Sequence, residues 1–186
     1  MVRCFICVEV ENEENIQLIS QLLEKINTIE GIRPVKHNQL HITLKFLGEV
    51  TNQQVMRINQ LLEDISFEKI QLKFDRLGCF PHGKKPRVIW LGISEGDTEL
   101  ADLAKIIEKR LVSIGFPREK RKFSPHLTLG RVKRLTPNGL KQIEDFLLQE
   151  DYIPKIPEEI TSFYLKKSIL TPKGAIYETL AEVMHK

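Results

Sequence analysis

The chain has 186 residues, of which 41% are hydrophobic, 28% charged and 7% aromatic, with a formal net charge of +3. That length suits one compact domain or two small lobes sharing a cleft, and the composition excludes disordered, collagenous and disulfide-scaffold classes. The positive balance is too mild for a histone-like binder, although a local basic patch fits within it.

Three cysteines, Cys4, Cys7 and Cys79, make a disulfide framework implausible and point to a reducing compartment. Cys4 and Cys7 have C-x-x-C spacing, but Val2 to Val10 reads as a buried strand. A three-residue offset on a strand sends the two thiols to opposite faces, and no second pair completes a tetrahedral metal site. No apolar run reaches the roughly 18–20 residues that span a bilayer. The N-terminus opens on the strand without signal-peptide features, and lipidation motifs are absent, so a cytoplasmic protein is expected.

In chain order, residues 2–10 predict a first strand. Ile16, Ile19, Leu22, Leu23 and Ile26 then form the apolar stripe of a helix ending near Thr28. Gln39–Leu47 follows as a strand, and Asn52–Leu62 as a helix with Val55, Ile58, Leu61 and Leu62 on one side. Ile70–Leu77 and Arg87–Ile93 are strands joined by a loop from Gly78 to Pro86. Asp97 or Thr98 caps a third helix through Val112, and His126–Val132 is the next strand. Thr136-Pro137 opens a helix through Gln149. Glu159–Leu170 and Ala175–Val183 close the chain as a hairpin around Pro172-Lys173-Gly174. Neighbouring strands are joined too closely for parallel crossovers, which predicts an α+β fold with antiparallel sheets.

One internal repeat is sharp. His41-Ile42-Thr43-Leu44 returns 85 residues later as His126-Leu127-Thr128-Leu129. On a strand, the histidine and threonine of each copy share one face, and the two aliphatic residues share the other. Either copy alone is an ordinary half-exposed strand. Two matching copies, in a chain with five histidines, suggest a pair of imidazoles and a pair of hydroxyls facing one small anion. Such a set suits phosphoryl transfer without a metal. One histidine takes a proton from the nucleophile, the other protonates the leaving oxygen, and the hydroxyls hold non-bridging oxygens.

These segments resemble the two-histidine phosphoesterase superfamily, in particular its RNA 2′,3′-cyclic phosphodiesterase branch, once called 2′-5′ RNA ligases. The resemblance rests on His41 to Gly48, Pro86-Arg87-Val88-Ile89-Trp90-Leu91-Gly92, Pro125 to Arg131, and Ser168-Ile169-Leu170 with Gly174 and Tyr177. It runs from the first strand to the last, with no departure within either tetrapeptide. It implies a bilobal, pseudo-twofold α+β fold in which two antiparallel sheets face each other across a cleft, helices lie outside, and each lobe supplies one motif. It also implies opening of a 2′,3′-cyclic phosphate at an RNA end to leave a 2′-phosphate, with no cofactor. His41 would then be the proton donor to the 3′-oxygen and His126 the base, with Thr43, Thr128 and Arg131 on the phosphate. The implied partner is RNA with a cyclic phosphate end, halves of cleaved tRNA among such RNAs, and the implied enzyme is a monomer. Strict alternation puts Arg131 on the wrong face unless the strand bends or ends at Gly130. A ligase using a 5′-hydroxyl in place of water, and a module that only binds RNA ends, are the rival readings.

Lys45 continues the His41–Thr43 stripe and is expected to reach an RNA phosphate or rim the cleft. Lys84, Lys85 and Arg87, with Arg118, Lys120, Arg121 and Lys122, could guide a nucleic-acid backbone. Alternation places Phe46 in the core, whereas Phe80 on its loop could stack on a base. His37 and His41 have zinc-like spacing only on a helix, and His82 and His185 read as exposed bystanders.

Overall fold

The computed structural model describes every residue except Lys84 and Lys173. In chain order it contains β1 (Val2–Glu9), α1 (Glu13–Asn27), β2 (Ile32–Pro34), β3 (His41–Val50), α2 (Asn52–Glu63), β4 (Ile70–Phe80) and β5 (Val88–Glu95). There follow α3 (Asp97–Val112), β6 (His126–Val132), α4 (Pro137–Leu147), β7 (Glu158–Ile160), β8 (Ser162–Thr171) and β9 (Gly174–Met184). The helices begin where the sequence offers a cap. Asn12 accepts from Asn15 N at 3.1 Å, Thr51 and Gln54 form a reciprocal capping box, and Thr136 precedes Pro137. α3 differs from expectation, because its cap is Gly96 rather than Asp97 or Thr98. Gly96 has φ +81°, and a Cβ there would lie 2.4 Å from Gln71 O, so only glycine makes this strand-to-helix turn.

The fold is α+β, and its strand pairs are antiparallel. The two antiparallel halves that the resemblance implies are both present, and they are joined edge to edge. The strands form one nine-stranded sheet in the order β7-β4-β5-β6-β3-β1-β8-β9, with β2 on β6. Its halves, β7-β4-β5-β6 and β3-β1-β8-β9, meet at the register pair Ile42–Leu127. The strand order is symmetric about that pair, which lies at the centre of the two His-x-Thr-x segments.

The helix stripes join one core cluster that also contains Ile42, Leu44, Leu127 and Leu129. α1 follows β1 yet packs on β6 of the other half, and α3 follows β5 yet packs on β3. The helices thus brace the narrow seam from both sides. Gly130 admits α1 closely, since a Cβ there would sit 3.0 Å from Ile26 Cγ2. Among the described residues the opposite face carries no helix, and it holds a small cluster of Phe5, Cys7 and Tyr164 with Tyr177 against it. Cys4 lies in the main core and Cys7 in this second cluster, on opposite faces as the spacing predicts.

Simple alternation fails just after each motif. Cys7 pairs with Thr43 and Ile6 with Lys45, which leaves Leu44 as an extra residue in β3. Trp90 pairs with Thr128 and Ile89 with Gly130, which leaves Leu129 extra in β6. Each bulge reverses the phase of the residues that follow it. Lys45 is therefore turned away from the histidine face and buried, with its ammonium 3.0 Å from Glu108, 3.1 Å from Glu119 and 2.9 Å from Pro117 O. Phe46 takes the exposed place expected of Lys45 and is 63% accessible instead of core. Phe80 ends β4 rather than sitting in a loop, and the lysine-rich turn after it includes Lys84, outside the described residues, as Lys173 is in the closing hairpin.

Removing Lys45 leaves Glu108 and Glu119, both of which reach solvent, and costs the charge-assisted hydrogen bonds of a buried ammonium. Lys45→Ala is expected to lower unfolding free energy by about 2 kcal/mol in chemical denaturation. Lys69→Ala, which breaks the exposed 3.0 Å Lys69–Glu159 pair, should cost at most about 1 kcal/mol.

Candidate active site

The Ile42–Leu127 pair determines where the polar residues of both motifs fall. In an antiparallel register, His41 lies across from Thr128, and Thr43 across from His126. All four share the helix-free face and are half-buried, while the residues between them enter the core. The burial sequence of the first six residues is the same in both strands, ending at exposed Phe46 in β3 and exposed Arg131 in β6. The structure thus unites His41, Thr43, His126, Thr128 and Arg131. The Leu129 bulge supplies the bend that Arg131 requires.

Each imidazole is held in the same way. His41 Nδ1 lies 2.7 Å from Gln39 O, and His126 Nδ1 lies 2.8 Å from Ser124 O. A carbonyl only accepts, so Nδ1 carries the hydrogen and Nε2 is left for chemistry. Aromatic rings wall both sides. Phe5 stands 5.0 Å and Tyr177 5.3 Å from the His41 ring, the latter edge-on. Phe80 stands 5.1 Å from His126 and Trp90 6.3 Å. Gly78 makes room for the indole, because a Cβ there would meet Trp90 at 2.2 Å.

The same surroundings suppress protonation. Burial is the main cause of the fall in His41 pKa to about 4; the Gln39 carbonyl opposes it, and the charges of Lys166, Arg131 and His126 add to it. His126 is also lowered, first by burial and then by Arg131, against the pull of Ser124. Lys166 is buried beside this site, 2.9 Å from Glu9 and 2.7 Å from Thr179 Oγ1. Glu9 is the register partner of His41.

Phe5, Lys166 and Glu9 escaped sequence reasoning because they sit in strands buried on both faces, where period two has little contrast, and Trp90 entered only as part of the resemblance. His82 is exposed as expected, but its ring is 5.7 Å from Phe80, on the rim of the site. His37 bonds Ser20 Oγ at 2.8 Å and lies in a short turn, away from any helical pairing with His41. Lys85, Arg87, Arg118, Lys120, Arg121 and Lys122 are all exposed. Of these, Lys122 lines a cavity of about 250 Å3, with Arg76, Ser124 and Pro125, at the start of β6.

An anion between the imidazoles raises both pKa values from their depressed resting positions, so binding takes up protons. Sulfate, whose charge is constant in this range, should therefore bind more tightly as pH falls from 7 towards 4. Calorimetry in buffers of different ionisation enthalpy would register the proton uptake, and a pH-independent affinity would contradict it.

Comparison with known proteins agrees with this geometry. A model of the LigT-like phosphoesterases matches residues 8–90 and again residues 91–177, one motif in each match. A protein of Archaeoglobus fulgidus named RNA 2′,3′-cyclic phosphodiesterase is 36% identical over 96% of this chain and 98% of its own length. One of that name from Aeropyrum pernix is 38% identical over 82% of this chain and 85% of its own length. Among solved structures, TT0787 of Thermus thermophilus has TM-score 0.79 and 24% identity, covering 98% of this chain and 97% of that one. E. coli LigT complexed with 3′-AMP has TM-score 0.77 and 24% identity, covering 100% of this chain and 98% of that one. The chain belongs to the LigT-like phosphoesterase family.

Proposed function

We propose that this protein is an RNA 2′,3′-cyclic phosphodiesterase, which hydrolyses a terminal cyclic phosphate to a 2′-phosphate and a free 3′-hydroxyl. The observation that carries the reading is the Ile42–Leu127 pair, which puts two histidines, each held through Nδ1 on a backbone carbonyl, on one face, each across from a threonine. Its relatives named for that activity support it.

His126 Nε2 accepts a proton from water as the water oxygen attacks phosphorus. The P–O3′ bond breaks on the opposite side, and His41 Nε2–H gives its proton to O3′. The pair ends with exchanged protonation and resets through solvent. Thr43 and Thr128 hold non-bridging oxygens, and Arg131 offsets the charge that builds on them. The assignment of acid to His41 and base to His126 follows the family resemblance, since the fold is symmetric about the pair. The diester's charge drives His41 to the protonated form that an acid needs, in a site that leaves it neutral when empty. Both motifs belong to one chain, so a monomer is complete. RNA ends of this type, cleaved tRNA halves among them, are the substrate class. Among the described residues no helix is long and apolar enough to cross a membrane. The three cysteines are free and buried, which fits a reducing compartment such as the cytoplasm.

The test is incubation of EDTA-treated protein with an oligoribonucleotide ending in a 2′,3′-cyclic phosphate, with a 5′-hydroxyl RNA present. A new phosphatase-sensitive 2′-monophosphate end is expected. A joined 2′-5′ product in its place would make the protein a ligase, and binding without turnover would make it an RNA-end module. His41→Ala and His126→Ala should each lower kcat by about 10²–10⁴ while leaving the denaturation midpoint near that of the unaltered protein. Because both imidazoles are depressed in the free enzyme, the kcat/KM optimum is expected below the ordinary histidine value of about 6.5. An optimum well above neutrality would contradict the assignment.

A further inference from the structure

The two motifs match in backbone, but the side chains beside them do not. On β1 the register partner of His41 is Glu9, whereas on β5 the register partner of His126 is Gly92. Glu9 meets Lys166, which reaches across from β8 with its ammonium 2.9 Å from the Glu9 carboxylate. Thr179 Oγ1 accepts from the same ammonium at 2.7 Å, and the Tyr164 ring centroid lies 4.8 Å from it. The nearest equivalent beside Gly92 is the pair Asp75–Arg76 on β4. That pair faces solvent, since the Arg76 side chain is 59% accessible against 10% for Lys166.

The buried pair is not needed to hold its strands together. β1 and β8 are already joined by backbone pairing from Arg3–Ser168 to Cys7–Tyr164. Burying an ion pair costs much of what its attraction returns, and apolar residues in its place are often as stable. Its electrical effect is the better guide to its role. The titratable and charged groups on the His41 side are Glu9 and Cys7 from β1, His126 and Arg131 from β6, Lys166 from β8 and Tyr177 from β9. Burial raises the pKa of Cys7 and of Tyr177, so both stay neutral. Arg131 acts on both imidazoles, while Lys166 acts on His41, and the charge that acts on His126 is Arg131.

We infer that Lys166, held in place by Glu9 and Thr179, is a positioning residue that breaks the equivalence of the two histidines and makes His41 the stronger proton donor. A fixed ammonium beside an imidazolium makes it release its proton more readily, which suits the step in which O3′ departs. Glu9 keeps the ammonium turned away from the phosphate and offsets part of its charge, so Lys166 works through His41 and not on substrate. The inference rests on the proposed phosphodiesterase reading, in which His41 gives its proton to O3′ and His126 takes one from water.

The test removes one charge of the pair at a time. 15N NMR titrations follow both imidazoles, in saturating sulfate to bring them into range. Lys166→Met takes away the positive charge, so His41 should titrate about one pH unit higher. Glu9→Gln takes away the negative charge, so His41 should titrate lower. His126 should stay nearly still in both. The pH optimum of kcat/KM lies midway between the pKa values of the acid and the base, so it should follow His41, upwards in Lys166→Met and downwards in Glu9→Gln. Lys166→Arg keeps the charge and should bring both readouts back towards the unaltered protein. A purely structural role lowers activity without opposite movements. Movement of His41 in the same direction in both variants, or in neither, would therefore overturn the inference, as would equal movement of His126. Glu9→Gln is close to isosteric, so it reads the pair even where Lys166→Met does not fold. Opposite movements of His41 in a protein that turns over no cyclic phosphate would instead overturn the phosphodiesterase reading, and the donor role with it.

Discussion

The structure turns on one backbone pairing, Ile42 against Leu127. It is the register pair that joins β3 to β6, and all the polar chemistry lies within a few residues of it. A pairing this short needs help from elsewhere, because isolated strand contacts are marginal in water. The help comes from the core face. Ile42 and Leu127 are fully buried, and α1 and α3 each cross from their own half to pack on the motif strand of the other. Burial of the aliphatic residues at positions two and four of each motif thus fixes the histidine and threonine at positions one and three. The catalytic geometry is a consequence of where the hydrophobic residues go.

The two bulges add what alternation cannot supply. After Leu44 and Leu129 each strand changes phase, so Phe46 and Arg131 emerge beside the motifs, while Lys45 is pulled into an ion-paired site beneath α3. The result is a groove symmetric in its two imidazoles and asymmetric at its ends, aromatic beyond one and cationic beyond the other. The electrostatics follow from the same packing. Rings of Phe5, Tyr177, Phe80 and Trp90 strip water from the imidazoles, which rest neutral with Nδ1–H fixed on a carbonyl. An incoming phosphate replaces the lost solvation, so its charge moves the acid into its working state only when substrate is present.

Much of this was legible in the sequence. The repeated His-x-Thr-x with aliphatic partners revealed the site, since period two is a local property of extended chain. The helix stripes and the Asn12, Thr51 and Thr136 starts were legible for the same reason. Lys45 and Phe46 were misplaced because a bulge depends on the partner strand's register, which no single segment encodes. Gly96 was passed over as a cap because Asp97 and Thr98 follow it, and only the nearby Gln71 carbonyl explains why glycine is required. That the two expected halves join edge to edge was not legible, because the Ile42–Leu127 pair that joins them is a long-range contact.

The central claim is that both histidines address one phosphate. It is tested most directly by 15N NMR of histidine-labelled protein titrated with a nucleoside 2′-monophosphate, the product class. The account predicts that the Nε2 resonances of His41 and His126 shift together towards the protonated form, saturating at one equivalent, while His37 and His185 stay still. Response of only one imidazole, or saturation of the two at different ligand concentrations, would contradict it.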